Sequence, residues 1–123
     1  IDFSGNDLIF AAEQAPHDLL FNRCCAVFHH GGAGTSAAAL RAGIPQLIMP
    51  CSGDQPFWAQ YLYRKGYALK PISEQALTAE KLKQHFHMLK EAGIRGQSEK
   101  IGAVLKQEHG TENAADWIIT NYG

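Results

Sequence analysis

The order of apolar and polar residues divides the 123-residue chain into two unlike parts. Before Thr78, short apolar runs of strand length alternate with stretches of helical periodicity, whereas only helical periodicity follows it. The apolar runs predict strands at residues 7–13, 24–29, 45–50 and, more weakly, 67–72. The second run is apolar throughout, which is typical of a strand that is covered on both faces.

Helices are predicted between and after these strands, at residues 15–23, 35–43 and 54–66. Gly43 suits the position directly after a helix, where a left-handed backbone is common. One apolar face is predicted for the third helix, formed by Phe57, Tyr61 and Leu62. Two further helices have apolar residues on one face, namely Leu82, Phe86 and Leu89 in the first and Ile101, Val104 and Leu105 in the second. A last helix is predicted at residues 112–122.

Strands that alternate with helices predict an α/β fold, a Rossmann-like parallel sheet with flanking helices, right-handed crossovers and a helical C-terminal tail. Three or four strands are few for a doubly wound sheet, and the chain begins with Ile1. We therefore expect residues 1–123 to form a single domain from a longer protein, with upstream strands of its sheet missing.

Composition narrows the classes of function. Charged residues make up 19% of the chain and the net charge is −1, which offers no field for nucleic acid or an anionic membrane. No apolar run reaches the length of a membrane span, no signal peptide is recognisable, and three cysteines suit a reducing compartment. We therefore expect a cytoplasmic protein. The spacing of the six histidines matches no metal-binding motif, so no metal is expected.

The segment HHGGAGTS at residues 29–36 is the strongest functional signal. It joins a predicted strand to a predicted helix at the carboxyl end of a parallel sheet, where such folds bind ligands. Free N–H groups at a helix N-terminus, beside glycines that lack a Cβ, suit a phosphate or diphosphate. His30 would donate an imidazole N–H to a phosphate oxygen, and the Thr35 and Ser36 hydroxyls would add hydrogen bonds. Strand alternation directs His29 to the opposite side, where we expect a hydrogen-bonded packing residue.

Two other interpretations of this segment stay open at the level of the residues. The glycines also fit an ordinary turn that ends in a threonine N-cap. Gly32, Gly34 and Ala37 match the relaxed dinucleotide fingerprint Gly-x-Gly-x-x-Ala, with Asp54 twenty residues after Gly34, as in an NAD(P)-binding domain of an oxidoreductase. That fingerprint has its acid at the end of the second strand, whereas Asp54 follows a further loop. Asp54 and Gln55 suit the hydroxyl groups of a sugar, although aspartate before a helix is also an ordinary cap.

Residues 16–66, with HHGGAGT and GDQPFW at their centre, resemble the donor-binding region of the two-domain (GT-B) nucleotide-sugar glycosyltransferases. The resemblance is to the branch that holds sterol glucosyltransferases and bacterial natural-product and lipid glycosyltransferases, and it continues more loosely into the last helix. It implies a C-terminal Rossmann-like domain that binds a UDP- or dTDP-sugar.

The resemblance also implies roles for single residues. It assigns His30, Gly32, Gly34 and Thr35 to the donor diphosphate, Asp54 and Gln55 to the donor sugar, and Gln14, Ala15 and Pro16 to the loop that meets the base and ribose. The general base of the family is a histidine of an N-terminal acceptor domain, so no catalytic residue is expected in this chain. Two positions depart from plant-type relatives: Ala38 replaces a ribose-binding glutamate, and Gln14 replaces a base-stacking tryptophan. Recognition of the base and ribose is therefore expected to differ.

The implied function is transfer of a hexose to an acceptor hydroxyl of a sterol, lipid or natural product. Negative charge grows on the leaving diphosphate in the transition state, and a helix N-terminus with His30 would stabilise it without a metal. The acceptor is expected to bind through the missing domain, which would also hold any peripheral contact with a membrane. We expect the chain alone to be inactive and to self-associate through the surface that a second domain would cover.

Overall fold

The structure is a computed structural model, and it describes residues 12–123. Within this range there are two strands, six α-helices and two 3-10 helices. In chain order they are α1 (His17–Leu20), a 3-10 helix (Phe21–Arg23), β1 (Val27–His29), α2 (Ala33–Ala42), β2 (Gln46–Ile48), α3 (Gln55–Arg64), a 3-10 helix (Glu74–Ala76), α4 (Ala79–Leu89), α5 (Ala92–Lys106) and α6 (Gly110–Tyr122). Residues 7–11 of the strand predicted at residues 7–13 lie outside the described residues, and Ala12 and Glu13 are not in a strand.

Strands β1 and β2 are parallel, with Val27 opposite Gln46 and His29 opposite Ile48. Helix α2 connects them, so they form the strand–helix–strand unit that the alternating pattern predicts, and the α/β fold class is confirmed. Both strands are shorter than predicted. The helical tail after Thr78 is also confirmed, as α4 to α6.

The weak fourth strand predicted at residues 67–72 is wrong as a regular strand. Ala68 makes an isolated bridge to Gln46, and the N–H of Leu69 donates to the Gln46 carbonyl at 2.9 Å. The next ladder donor two residues on would be Pro71, which has no N–H. The N–H of Ile72 takes its place and donates to Ile48 at 3.0 Å, so the segment follows the sheet edge without regular pairing.

Helices cover both faces of the two-stranded sheet, as the apolar strand pattern predicts. On one face Ile48 packs with Ala59 and Leu62 of α3, while Val27 packs with Ala39 of α2. On the other face Leu47 packs with Leu69, Ile72 and Leu89, the last of which belongs to α4. The carboxyl ends of both strands are consequently held between two layers of helices.

The C-terminal end of α2 matches the prediction. Gly43 adopts a left-handed backbone with φ of 73°, and its N–H donates to the carbonyls of Ala39 and Leu40. Helix α5 crosses this point closely, because a Cβ on Gly102 would lie 2.6 Å from the Cα of Gly43. The buried positions of α5 are therefore the small residues Ser98 and Gly102.

Three predicted apolar faces need correction. In α3 the buried residues are Ala59 and Leu62, whereas Phe57 is 62% exposed and Tyr61 is 44% exposed. Among the residues predicted to form the apolar faces of α4 and α5, Phe86 and Val104 are exposed. Among residues 12–123 the sheet has two strands, and α5 packs mainly on α2, so each helix contacts a narrower surface than its apolar residues would cover.

Candidate functional site

The turn after β1 is compact and requires glycine at its centre. Gly31 is buried and has a φ of +92°, and a Cβ on it would lie 2.7 Å from Cγ2 of Ile48. Its N–H is turned inwards and donates to Nδ1 of His29 at 3.0 Å. Gly31 therefore shapes the turn, and its N–H is not directed at a ligand.

Helix α2 begins directly after this turn and has a free N-terminus. Gly32 is the N-cap residue and supplies no side-chain hydrogen bond, so the N–H groups of Ala33, Gly34 and Thr35 lack intrahelical acceptors. Apart from its own helix backbone and its chain neighbours, a Cβ on Gly34 would meet no atom within 4 Å, so the surface of α2 at Gly34 is open. The interpretation of Thr35 as the N-cap is wrong, because the helix starts two residues earlier. Its hydroxyl lies in the first turn instead.

His30 lies on the surface beside this N-terminus. Its side chain is exposed, and its ring packs against the Cα of Gly32 so closely that a Cβ there would lie 2.6 Å from Nε2. Gly32 therefore leaves room for the imidazole next to the first N–H groups of α2. An imidazole N–H and a helix N-terminus, both electropositive, share one exposed site.

His29 faces into the protein and is hydrogen-bonded at both ring nitrogens. Nδ1 accepts the Gly31 N–H, and Nε2 lies 2.8 Å from Oε1 of Gln46. Burial lowers the pKa of His29, the Gln46 hydrogen bond opposes that shift, and the nearby His30 and His17 add to it. The predicted role of a hydrogen-bonded packing residue is confirmed.

The loop after β2 lies against the glycine turn. A Cβ on Gly31 would be 3.5 Å from the carbonyl oxygen of Gln55 and 3.6 Å from its Cβ. The two segments meet because parallel neighbouring strands end at the same edge of the sheet. Gln55, which follows Asp54 in the chain, therefore lies beside the glycine turn that precedes α2.

Asp54 and Gln55 each have a contact that the sequence interpretation missed. The indole N–H of Trp58 donates to Oδ2 of Asp54 at 2.8 Å, and the Asp54 side chain does not cap α3. Oε1 of Gln55 accepts the N–H groups of Cys51 at 2.8 Å and Ser52 at 3.0 Å. The Asp54 side chain therefore leans towards α3, and the amide NH₂ is the part of Gln55 left to meet a ligand. The four-residue spacing of Asp54 and Trp58 at the start of α3 could have indicated their hydrogen bond from the sequence.

The remaining candidates lie at the edges of this arrangement. Gln14, Ala15 and Pro16 precede α1, whose 3-10 continuation packs on α2 through Phe21 and Ala39. Ser36 is only 4% exposed, and it lines a cavity between α2 and α3 instead of lying at the open turn. Within residues 12–123 no three His, Cys, Asp or Glu side chains are grouped as a metal site would require.

A parallel strand–helix–strand unit with an open helix N-terminus at the carboxyl edge of its sheet defines a Rossmann-like α/β domain. Residues 7–116 match the family model described as Erythromycin biosynthesis protein CIII-like, C-terminal domain. The chain belongs to this family.

Curated relatives and solved structures agree with this assignment. The chain is 41% identical over 108 residues to a sterol 3-beta-glucosyltransferase of Arabidopsis thaliana, covering 88% of this chain and 18% of the relative. It is 37% identical over 112 residues to the O-mycaminosyltylonolide 6-deoxyallosyltransferase of Streptomyces fradiae, covering 87% of this chain and 26% of the relative. It also resembles the crystal structure of glycosyltransferase VinC in complex with dTDP, with a TM-score of 0.83, 28% identity, and coverage of 93% of this chain and 29% of that one.

These relatives confirm the resemblance to the C-terminal domain of GT-B glycosyltransferases, and they give no support to the oxidoreductase alternative. The chain spans less than a third of each of the three proteins just named. No helix among the described residues is both long enough and apolar enough to cross a membrane.

Proposed function

We propose that this chain is the donor-binding part of a glycosyltransferase that transfers a hexose from a UDP- or dTDP-sugar to an acceptor hydroxyl. The observation that carries the proposal is the close approach of Gln55 to the Gly31 turn, which supports a site shared by the turn and the loop after β2. The homologous glycosyltransferases and the dTDP in the VinC structure support a nucleotide sugar as the ligand.

The donor diphosphate would bind at the N-terminus of α2. The N–H groups of Ala33, Gly34 and Thr35 lack intrahelical acceptors, and the positive end of the helix dipole favours an anion there. His30 would add a hydrogen bond from its exposed ring. When the bond between the anomeric carbon and the diphosphate breaks, its electron pair goes to the diphosphate. These donors then stabilise a charge that is larger in the transition state than in the bound donor.

The hexose would lie between the diphosphate and the loop after β2. Asp54 would accept a hydrogen bond from a sugar hydroxyl, and its Trp58 contact would hold the carboxylate in one orientation. The NH₂ of Gln55 would donate to a second hydroxyl, since its oxygen is engaged by the loop backbone. Gln14, Ala15 and Pro16 would meet the base and ribose, in a way that compensates for the alanine at position 38.

The acceptor hydroxyl must lose its proton to a base as it attacks the anomeric carbon. Among the described residues, the histidine paired with a carboxylate is His109, whose Nδ1 lies 2.7 Å from Glu112 at the start of α6. His29 and His30 have no such partner there. We propose that the base and the acceptor site belong to another part of a longer, cytoplasmic protein, and that residues 1–123 bind the donor without transferring the sugar.

A nucleotide panel tests this proposal. Thermal unfolding of the chain would be followed with UDP, dTDP, GDP, NAD and NADP at one common concentration. A nucleotide that is present at about 100 times its dissociation constant adds about 2.7 kcal/mol, and a weaker ligand adds less. We expect UDP or dTDP to raise the melting temperature. Stabilisation by NAD alone would refute the proposal.

A single substitution then locates the site. His30→Ala should raise the UDP dissociation constant about tenfold, because an exposed hydrogen bond to a charged group is worth about 1.5 kcal/mol. His87→Ala, in an exposed histidine of α4, is the matched control and should leave the affinity unchanged. If calorimetry shows the same change in UDP affinity for both substitutions, the nucleotide does not bind at the glycine turn.

A further inference from the structure

The imidazole of His29 is fixed in one tautomer by its two hydrogen bonds. A backbone N–H can only donate, so Nδ1, which accepts from Gly31, carries no proton. Nε2 must then carry the hydrogen and donate it to Oε1 of Gln46. The ring is neutral, and it connects the side chain of β2 to the backbone of the glycine turn.

We propose that His29 is a positioning residue for the glycine turn, holding the Gly31 peptide in the orientation that presents the N-terminus of α2. The inference rests on the proposed function, because it concerns the same diphosphate site. It gives His29 a part in ligand binding without any contact between His29 and the ligand.

Among the described residues, the N–H groups of residues 30–32 donate one hydrogen bond, from Gly31 to Nδ1 of His29. Only three residues separate the end of β1 from the start of α2, and the central one, Gly31, has a φ of +92°. Glycine populates many conformations in the absence of a constraint, so one hydrogen bond to its N–H restricts the turn strongly. The orientation of this peptide also sets the position of Gly32, which caps α2 and supports the His30 ring.

Gln46 is the fixed end of this connection. Its side chain is fully buried, and it lies on the same face of the sheet as Ile48, the residue opposite His29. A buried polar atom needs a partner, and the imidazole supplies one for Oε1 of Gln46, whereas Nε2 of Gln46 has no partner among the described residues. His29 is therefore held by the sheet on one side and holds the turn on the other.

Two substitutions of His29 test its hydrogen bonds to Gly31 and Gln46 separately. The side-chain oxygen of asparagine can occupy the position of Nδ1, so His29→Asn keeps an acceptor for the Gly31 N–H and loses the Gln46 contact. The amide nitrogen of glutamine can reach the position of Nε2, so His29→Gln keeps the Gln46 contact and loses the acceptor. Both remove a half-buried ring, so both should lower stability, and a purely structural role would affect UDP binding equally.

Calorimetric titration of the 123-residue chain with UDP gives the decisive comparison. We expect His29→Asn to bind within about threefold of the wild type and His29→Gln to bind about tenfold more weakly, the loss expected for one hydrogen bond. Equal losses in the two variants, or wild-type affinity in His29→Gln, would overturn the positioning role.

Amide hydrogen exchange of Gly31, measured without nucleotide, makes the test independent of the proposed function. Exchange should be slow in the wild type and in His29→Asn and about tenfold faster in His29→Gln. Equal exchange rates would overturn the positioning role even if UDP binds. A wild-type chain that binds neither UDP nor dTDP would overturn the proposed function instead, while the exchange rates would still decide the role of His29.

Discussion

Alanine substitutions at Gly31, in the turn, and at Gly34, in the first turn of α2, should have different effects on stability and on UDP affinity, because the two glycines have different surroundings. At Gly31 the backbone is left-handed and a Cβ would lie 2.7 Å from Ile48. At Gly34 the backbone is helical and no atom lies within 4 Å of a Cβ. Gly31→Ala therefore tests the shape of the turn, and Gly34→Ala tests whether the open space in front of α2 holds a ligand.

The cost of Gly31→Ala has two parts. A left-handed backbone costs a residue with a Cβ about 1–2 kcal/mol. Relieving the overlap with Ile48 requires a shift of the kind that costs about 1–3 kcal/mol in a packed interior. We expect the free energy of unfolding to fall by about 2–5 kcal/mol, a large part of the about 5–15 kcal/mol typical of a domain. The urea midpoint should fall by about 1 M or more.

Gly34→Ala should leave the urea midpoint unchanged or raise it slightly, since alanine favours a helix by at most about 1 kcal/mol. The added methyl group would stand where we place the diphosphate, and we expect UDP affinity to fall about tenfold or more, the cost of displacing a packed group. Calorimetry and urea unfolding on the same samples separate the two effects. Wild-type UDP affinity in Gly34→Ala would show that the phosphates do not approach this part of α2.

Three further predictions concern the sugar site, the half-buried His29 and helix packing. Asp54→Asn should leave the affinity for UDP within about twofold of the wild type and lower the affinity for UDP-glucose about tenfold, the effect of losing a charged hydrogen bond. If calorimetry shows an equal loss for both ligands, Asp54 has a purely structural role. Burial lowers the pKa of His29 in the folded state, so the unfolded state binds more protons below about pH 6.5. The contribution of His29 to the free energy of unfolding should therefore be complete above that pH and be lost as the pH drops through the folded pKa. Urea midpoints between pH 8 and 5 check this, and His29→Asn should show a smaller decrease. Gly102→Ala should lower the free energy of unfolding by about 1–3 kcal/mol, because its Cβ would meet Gly43. Gly96→Ala, in the same helix, should raise it by up to about 1 kcal/mol. If urea unfolding gives changes of the same sign for both, α5 does not pack closely on α2.

The sequence by itself determined the local elements of the fold. Apolar runs located β1 and β2, alanine-rich periodicity located α2, and Gly43 marked its end, because these signals arise within a few residues. The glycine segment could also be interpreted from sequence, since strand, glycines and helix follow one another directly. The resemblance of the surrounding residues then favoured a nucleotide-sugar domain over a dinucleotide domain, and the comparisons confirmed the family.

The tertiary structure alone decided which side chains meet. The contact between Gly31 and Gln55 depends on two strands being parallel neighbours, although the residues are 24 positions apart in the sequence. The pairing of His29 with Gln46 depends on register, which alternation suggests but does not specify. The exposed faces of α3, α4 and α5 differ from the prediction because periodicity shows that a helix has an apolar side, whereas the width of the surface it packs on is set by the neighbouring elements.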